Sequence, residues 1–370
     1  MKKLSRRKFI TTTLKTSFCC LNATSTLFST TREKWKKEAL YYKKLDNHKV
    51  RCELCPNFCV LKNNKRGICK VRENQNGILY TLVYGRLCSM NIDPVEKKPL
   101  YHFLPGQNAL SIATAGCNVH CKFCQNHSIA QAKPEDINHK YHSPEALINI
   151  AKQYNTPIIA FTYNEPIVFF EYMLDVAKLS QKNGIKPIMI SNGYINPEPL
   201  RELCKYISAI KIDFKGYSEE FYKKIVRGKL EYVLKSMEII KGENIWMEVV
   251  NLVIPTYNDS EKQISKLCKW IVKNLSIDVP VHFSRFHPQY LMKNLPPTPV
   301  ATLKNAFKIA KSMNLNYVYL GNIPQHKSNH SFCPKCQTLL IERRGYITKI
   351  TNINKGKCNN CEEIIPGVWE

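Results

Sequence analysis

Three cysteines, Cys117, Cys121 and Cys124, lie within eight residues in the spacing C-x3-C-x2-C. Thiolates this close together suit a soft metal or an iron–sulfur cluster better than a disulfide. Four irons bound by three thiolates leave one iron with an open position, where a substrate or cosubstrate binds. The nearest other cysteines, Cys88 and Cys204, are 29 residues upstream and 80 residues downstream. The alternative is a structural zinc loop that takes a fourth ligand from elsewhere in the chain.

A second cysteine set precedes this loop and shows no sign of an open position. Its members fall within eighteen residues in the spacing C-x2-C-x3-C-x9-C, and they are Cys52, Cys55, Cys59 and Cys69. Four thiolates complete the coordination of tetrahedral zinc or of an iron–sulfur cluster. The sequence leaves zinc and an auxiliary cluster open for this N-terminal quartet, and we expect its role to be structural.

Two C-x2-C pairs near the C-terminus form a third set. They are separated by 21 residues that carry β-like runs, and they comprise Cys333, Cys336, Cys358 and Cys361. The pattern resembles a zinc ribbon, in which the metal holds together a small hairpin that cannot fold alone. We expect structural zinc at these ribbon cysteines, with a rubredoxin-type iron as the alternative.

The composition favours a globular chain with metal sites. Of its 370 residues, 44% are hydrophobic and 23% are charged, which argues against a disordered chain. Sixteen cysteines, eleven of them in three tight sets, indicate metal binding by reduced thiols rather than a disulfide framework. The net charge of +26 permits nucleic-acid binding, but no basic–aromatic platform or recognised RNA motif accompanies it. A lysine-rich solvated surface explains the charge more simply.

Apolar runs alternate with helical stretches between residues 109 and 321. The runs are typical of buried parallel strands and cover residues 109–115, 157–162, 185–191, 207–213, 245–253, 280–285 and 317–321. Between them, signals such as the N-cap Ser143 before Pro144 predict helices. Repeated strand–helix units predict an α/β fold with a parallel sheet, either open or rolled into a barrel.

The order of these patterns predicts four segments. Residues 1–31 include Ser5-Arg6-Arg7-Lys8-Phe9, which resembles a twin-arginine export signal. Residues 32–106 form a cysteine-rich N-terminal module and lead-in, residues 107–323 the α/β domain, and residues 324–370 the ribbon. No stretch reaches the roughly 18 apolar residues of a membrane span.

Polar residues follow four of the predicted strands, and the cysteine loop (residues 114–126) follows another. In parallel α/β folds the carboxyl ends of the strands gather at one edge, where functional residues collect. Any one of these side chains could simply cap the next helix. Four successive strand ends make a shared site the better interpretation. The residues concerned are Asn164 and Glu165, Ser191 and Asn192, Asp213 and Lys215, and His287.

These motifs together resemble those of the radical S-adenosylmethionine (SAM) enzymes, including the aromatic Phe123 before the third cysteine. The motif series at the strand ends is similar to that of glycyl-radical-enzyme activases such as the pyruvate formate-lyase type. The flanking N-terminal quartet, the stretch 93–106 and the C-terminal ribbon resemble the radical SAM component of the AmmeMemoRadiSam system. The match covers roughly residues 50–370. It implies a partial (β/α)6 TIM-like barrel with an N-terminal cysteine-rich module and a C-terminal zinc ribbon.

The resemblance also implies cofactors and contacts. Cys117, Cys121 and Cys124 would hold a 4Fe-4S cluster, and SAM would chelate its fourth iron. Phe123 would lie near the adenine, and Glu165 would receive the SAM ammonium. The ribose or carboxylate would be contacted by Asp213, Lys215 and His287, with Asn164, Ser191 and Asn192 in the same cofactor-binding set. One electron would then cleave SAM, and the deoxyadenosyl radical would abstract hydrogen from a substrate that the sequence does not identify.

Partners and location follow from the same resemblance. An oxidoreductase of this kind needs a reductant protein of the flavodoxin or ferredoxin type, and the flanks imply AMMECR-type and Memo-like partners. A glycyl-radical-enzyme activase is the alternative enzyme. A basic zinc-stapled nucleic-acid-binding protein is the alternative from another class, and we expect no specific nucleic acid. We expect a cytoplasmic location because SAM is made in the cytosol, although the twin-arginine-like segment leaves export open.

Overall fold

The computed structural model describes residues 34–323 and 327–370. The twin-arginine-like stretch, and the whole predicted segment 1–31, lie outside the described residues. Within the described part, no helix is long and apolar enough to cross a membrane.

Short antiparallel strands build the N-terminal part of the chain. They pair in the orders β1-β6-β5 and β2-β3-β4, and β7 pairs later with β10. Their bounds are β1 Lys37–Glu38, β2 Tyr42–Leu45, β3 Lys49–Cys52, β4 Val60–Leu61, β5 Arg72–Gln75, β6 Ile78–Thr81 and β7 Arg86–Leu87, with β10 at Lys140–Tyr141.

One eight-stranded sheet forms the centre of the molecule. Its strands are β8 Ser89–Pro94, β9 Asn108–Ala113, β11 Ile158–Phe161, β12 Lys186–Ser191, β13 Ala209–Asp213, β14 Trp246–Val253, β15 Val281–Arg285 and β16 Val318–Gly321. They lie in the order β16-β15-β14-β13-β12-β11-β9-β8. β9 and β11 to β16 run parallel, whereas β8 pairs antiparallel with β9 at one edge.

Helices connect consecutive parallel strands. Their bounds are α1 His127–Ala130, α2 Pro144–Gln153, α3 Phe170–Lys182, α4 Pro197–Cys204, α5 Glu219–Phe221, α6 Leu230–Gly242, α7 Glu261–Asn274 and α8 Val300–Ser312. A π-helical turn, Tyr222–Val226, follows α5, and 3-10 turns occur at Val95–Lys97, Pro134–Asp136, Pro166–Phe169 and Lys327–Asn329.

The seven predicted apolar runs are all strands, so the mixed α/β architecture is confirmed. The predicted (β/α)6 barrel is not confirmed. The sheet has seven parallel strands rather than six, and its edge strands β8 and β16 do not pair within the described residues. The additional unit is β16, whose run at 317–321 joins β15 in parallel.

The two faces of this sheet differ in chemistry. One face is apolar and packs against the helices, with members such as Leu110, Ile159, Ile210 and Phe283. Residues on the other face alternate with these and include buried polar side chains, notably Lys211, Glu248 and His282. The strand register places Lys211 opposite Glu248, and His282 two positions further along the same face. This inner face therefore carries buried polar groups beside an apolar cluster that includes Ile158 and Ile188.

A segment between β8 and β9 covers the amino ends of the strands. Glu248 is completely buried and accepts hydrogen bonds from the backbone N–H of Tyr101 (2.9 Å) and of His102 (2.7 Å). The His102 ring donates from Nδ1 to Pro366 O (2.8 Å), and its Nε2 accepts from the Tyr319 hydroxyl (2.6 Å). This end of the sheet is thus closed by a network that also fixes the C-terminus.

The C-terminal ribbon consists of small antiparallel strands packed against that end. The strands are β17 Ser331–Phe332, β18 Leu339–Arg344, β19 Ile347–Ile350, β20 Ile353–Asn354 and β21 Lys357–Cys358. The Arg343 guanidinium donates to Tyr101 O (2.6 Å) and lies 4.1 Å from the centre of the Tyr101 ring. Thr348 donates to Glu96 (2.8 Å). The ribbon is therefore docked on the segment that covers the sheet.

The N-terminal part packs directly on the cysteine loop. Gly116 has a φ of +95°, and a Cβ built on it would lie 2.6 Å from Cys69 O and 2.7 Å from Val71 Cγ1. Behind this contact, Arg72 and Glu171 form a buried ion pair, each with a side chain 1% exposed. Because removal of one partner leaves an uncompensated buried charge, such a pair holds its two elements together.

Burial of His102 predicts a defined acid sensitivity. Burial lowers the pKa of His102 to about 4, against the opposing effects of Glu248 and Pro366. The unfolded chain takes up this proton near pH 6.5 and the folded chain only near pH 4, so stability falls as pH drops through that window. Relative to His102→Asn, the wild type should lose up to about 3 kcal/mol of unfolding free energy between pH 6.5 and 4. Denaturant unfolding at several pH values measures this, with exposed His48→Asn as control. Parallel pH profiles for wild type and His102→Asn would contradict it.

The close approach at Gly116 predicts an intolerant position. Gly116→Ala should destabilise the fold by at least about 1–2 kcal/mol, because alanine is strained at positive φ and its methyl overlaps Cys69 O. Gly242→Ala is the matched control, since that glycine ends α6 with nothing within 4 Å. Thermal melts of both variants give the comparison. Equal melting temperatures for Gly116→Ala and the wild type would show that the N-terminal part does not press on the loop.

Candidate active site

The carboxyl ends of the parallel strands surround one cavity of about 540 Å³. This volume falls within the usual range for small-molecule and cofactor sites. The predicted residues on its wall are Cys117, Cys121, Cys124, Phe123, Asn164, Glu165, Asn192, Asp213 and Lys215. The structure thus brings predicted side chains from four separate chain segments to one place.

The cysteine loop enters this cavity between β9 and α1. The loop is held by the π-helical turn, because His120 N–H donates to Val226 O (3.1 Å) and Lys122 N–H donates to Ile225 O (3.0 Å). Burial raises the pKa of Cys121 to about 12, although the nearby Lys215 ammonium opposes the rise. Metal binding displaces such protons and gives the thiolate a partner that burial alone does not provide.

A chain of charges lies at the carboxyl end of β13. Asp213 accepts from Lys211 and, at 3.0 Å, from Lys215 Nζ. Burial alone would raise the pKa of Asp213, but the two ammonium groups hold it well below its usual range. The Lys215 ammonium also lies 5.9 Å from the centre of the Phe123 ring. A fixed carboxylate and an ammonium therefore stand beside an aromatic face and the cysteines.

Glu165 ties the ends of β11 and β12 together. Its carboxylate accepts from Ser191 Oγ (2.8 Å) and from the backbone N–H of Asn192 (2.7 Å). Burial raises the pKa of Glu165 to about 7, against the lowering effect of these two hydrogen bonds. The Asn192 side chain in turn donates to Asn118 Oδ1 (3.0 Å) and approaches Cys117 Sγ at 3.9 Å. Glu165 and Ser191 thus orient Asn192 against the cysteine loop.

Two amides fix the loop to the end of β11. Asn164 donates to Gly116 O (2.8 Å), and Asn126 donates to Tyr163 O (2.6 Å). The Tyr163 hydroxyl donates to Asp93, which also forms an ion pair with Lys98 at 2.6 Å. The stretch that begins at residue 93 therefore contributes to the cavity rim.

His287 differs from the other predicted site residues. Its side chain is exposed, and it is not among the residues that line the cavity in the described part of the chain. Ser191 also lies off the wall and acts through Glu165. Sequence reasoning missed several lining residues, namely Lys97, Lys98, Tyr163, Lys211, Ser284, Asn322 and Tyr346. A charged residue inside an apolar strand run, as at Lys211, is the signal that could have revealed one of them.

The donor set fits a 4Fe-4S cluster. Three cysteines line the cavity beside the Lys215 ammonium, and no fourth cysteine among the described residues reaches the same wall. Cysteine thiolates are the ordinary ligands of such clusters. Three of them leave one position for an exogenous ligand, which the adjoining cavity has room to hold.

The two four-cysteine sets differ in spacing. All four ribbon cysteines place their sulfurs within 4.8 Å of one another, with Cys333 and Cys361 3.6 Å apart and Cys336 and Cys358 3.7 Å apart. Tetrahedral zinc with bonds of about 2.3 Å sets its sulfur ligands about 3.8 Å apart. Among the described residues, the ribbon alone brings three or more potential ligands this close.

Comparison with known proteins agrees with this site. The family model described as the radical SAM superfamily matches residues 111–268. An uncharacterized protein of Methanocaldococcus jannaschii, MJ0808, is 44% identical over 331 residues, which cover 89% of this chain and 98% of that protein.

Solved structures resemble parts of the fold at low sequence identity. A domain of pyruvate-formate lyase-activating enzyme from Bacteroides vulgatus is 16% identical, with a TM-score of 0.40 over 44% of this chain and 98% of that one. Streptococcus suis SuiB bound to S-adenosylmethionine is 12% identical, with a TM-score of 0.48 over 62% of this chain and 53% of that one.

The family match coincides with the strands that carry the cysteine loop, Glu165, Asn192 and Asp213. Members of this superfamily are enzymes that use SAM and a 4Fe-4S cluster. Together with the near full-length similarity to the archaeal protein, the match shows that this chain belongs to the radical SAM superfamily, in the same family as MJ0808.

Proposed function

We propose that this enzyme binds a 4Fe-4S cluster at Cys117, Cys121 and Cys124, cleaves SAM reductively there, and takes hydrogen from a substrate in the same cavity. One observation carries the proposal: three cysteines and the polar ends of the neighbouring strands share one cavity. When bound, the cluster supplies the electron that breaks the sulfonium C–S bond of SAM. The protein contributes position, charge and protection from water.

Each proposed cofactor contact uses a group that the cavity already fixes. Phe123 offers an aromatic face for the adenine, and Lys215 lies beside it with its charge held by Asp213. Asp213 and Lys215 suit the ribose hydroxyls and the carboxylate of SAM. We assign His287 no contact, because it is exposed outside the lining.

Glu165 is the proposed acceptor for the SAM ammonium. Its Oε1 accepts from Ser191 Oγ and from the Ile167 N–H, whereas its Oε2 accepts only from the Asn192 N–H and keeps a second lone pair. An ammonium on the cavity side would supply the positive charge that this buried carboxylate lacks and would lower its pKa. Asn164 and Asn192 then act by joining the cysteine loop to the ends of β11 and β12, Asn164 through Gly116 O and Asn192 through Asn118 Oδ1. These hydrogen bonds keep the loop in position for the contact at Glu165.

The remaining parts of the chain have proposed supporting roles. We assign residues 32–106 to an N-terminal module, residues 107–323 to a partial radical SAM barrel, and residues 324–370 to a ribbon that binds structural zinc. Sulfur separations of 3.6 and 3.7 Å support zinc at the ribbon. A flavodoxin- or ferredoxin-type protein would supply electrons, and the cytosolic origin of SAM supports a cytoplasmic location.

SAM cleavage tests the proposal directly. After anaerobic reconstitution and dithionite reduction, the wild type should convert SAM to 5′-deoxyadenosine and methionine, measured by chromatography. Cys121→Ala should abolish the product, because the loop then supplies only two thiolates. Cys204→Ala is the matched control, since that cysteine is buried on α4 away from the cavity lining. Equal cleavage by Cys121→Ala and the wild type would refute the assignment.

Two kinds of radical SAM enzyme are considered, and they differ in their substrate. Resemblance of the flanking modules favours a modification carried out with AMMECR-type and Memo-like partners, and we propose that role. The alternative is an activase that acts on a glycyl radical enzyme. The cavity of about 540 Å³ lies within the range of small-molecule sites, and Tyr346 of the ribbon is on its wall. A partly covered cavity favours a small molecule or a narrow peptide segment.

Affinity capture distinguishes these two roles. Tagged wild-type chain should retain purified AMMECR-type and Memo-like proteins of its host and not a glycyl radical enzyme. The variant Tyr346→Ala is a control for partner contacts made by the ribbon hairpin. This side chain lies at the hairpin turn and is 56% exposed, so a partner could contact it. Retention of a glycyl radical enzyme alone would favour the activase.

A further inference from the structure

The N-terminal quartet surrounds a small cavity rather than a single point. The cavity is lined by all four cysteines and has a volume of about 20 Å³. Roughly 10–15 Å³ is enough for one water-sized body. A single ion bonded directly to four thiolates leaves no such space between them. The quartet is therefore wider than one ion requires.

The sulfur separations lead to the same conclusion. In the described part of the chain, the ribbon cysteines are the only set with three or more ligand atoms within 4.8 Å of one another. Tetrahedral zinc requires separations of about 3.8 Å. A cluster of four irons carries its thiolates on its outer corners, so its ligands stand further apart than those of one ion. The same chain thus contains one narrow and one wide four-cysteine site.

We propose that Cys52, Cys55, Cys59 and Cys69 bind a second 4Fe-4S cluster, with one cysteine on each iron. This inference goes beyond the proposed function, which requires only the cluster of the cysteine loop. Because four thiolates satisfy four irons, the second cluster has no open position for SAM or substrate. Its chemical role is confined to accepting and donating single electrons.

Each sulfur of the quartet faces a hydrogen-bond donor. The backbone N–H groups of Asn57, Ile68 and Val71 lie close enough to lower the pKa of Cys55, Cys59 and Cys69 respectively, against the larger raising effect of burial. Arg72 Nη1 lies 3.5 Å from Cys52 Sγ and donates to it. Such donors stabilise thiolates and set the reduction potential of an iron–sulfur cluster. The surroundings of the quartet are therefore suited to a redox centre.

The quartet adjoins the cysteine loop. Asn57 lines the quartet cavity and donates to Asn118 O (2.7 Å), and Asn118 lines the same cavity. Its chain neighbour Cys117 lines the SAM cavity. Neighbouring α-carbons are about 3.8 Å apart, so roughly one residue of backbone separates the two cavities. An electron from an external one-electron donor can pass between two clusters so placed without any bond or proton changing position.

Iron counting in matched variants tests the second cluster. The full-length chain is reconstituted anaerobically with iron and sulfide as wild type, as a loop variant (C117A, C121A and C124A) and as a quartet variant (C55A and C59A). The wild type should hold about eight irons, and each variant about four. After dithionite reduction, the loop variant should retain a 4Fe-4S electron paramagnetic resonance signal that SAM does not change. The quartet variant should retain a signal that SAM does change.

Zinc content tests the alternative, in which the quartet binds zinc instead of a cluster. The wild type and the loop variant should each hold one zinc per chain, lost only in Cys336→Ser. A loop variant with two zinc ions and no iron would overturn the inference. Because the loop variant keeps the quartet intact, a folding defect in the quartet variant does not obscure the result. If the wild type fails to cleave SAM while the loop variant holds about four irons, the proposed function fails and the second cluster stands. If the wild type cleaves SAM while the loop variant holds no iron, the second cluster fails and the proposed function stands.

Discussion

The register of seven parallel strands is the constraint on which the rest of the structure depends. It aligns Lys211 with Glu248 across one face, and it brings the cysteine loop and the carboxyl ends of β11, β12 and β13 to one edge. A slip of one residue would move every polar side chain of a strand to the helix-covered face. The apolar residues on that face prevent such a slip, so helix packing against that face also fixes the geometry of the polar site at the strand ends.

The two ends of the inner face have opposite roles. At the amino ends, buried Glu248 accepts hydrogen bonds from Tyr101 and His102, so the segment before β9 closes the sheet and anchors the ribbon. At the carboxyl ends, Lys215 and Glu165 line the cavity of about 540 Å³. The covered end stabilises the fold and the cavity end carries the candidate site, as expected where stability and function are separated along a strand.

The sequence predicted the strands because each is a continuous apolar run, and it predicted the site because polar residues follow those runs directly. It contained a signal for Lys211, a lysine inside an apolar run, but only the register shows that this lysine lies opposite Glu248. Tyr346 was also missed, because it reaches the cavity from a hairpin more than 90 residues beyond the strands β9 to β14. His287 follows a strand as the others do, yet its side chain is exposed. Position after a strand fixes a location along the chain but not the direction of a side chain.

The contact between Gly116 and Cys69 couples two cysteine regions mechanically. The two backbone segments leave no room for a Cβ between them, so the path of the cysteine loop depends on where the backbone at Cys69 lies. Cys69 belongs to the quartet. A displacement of the quartet backbone therefore reaches the cysteine loop through a rigid backbone contact rather than through a flexible side chain.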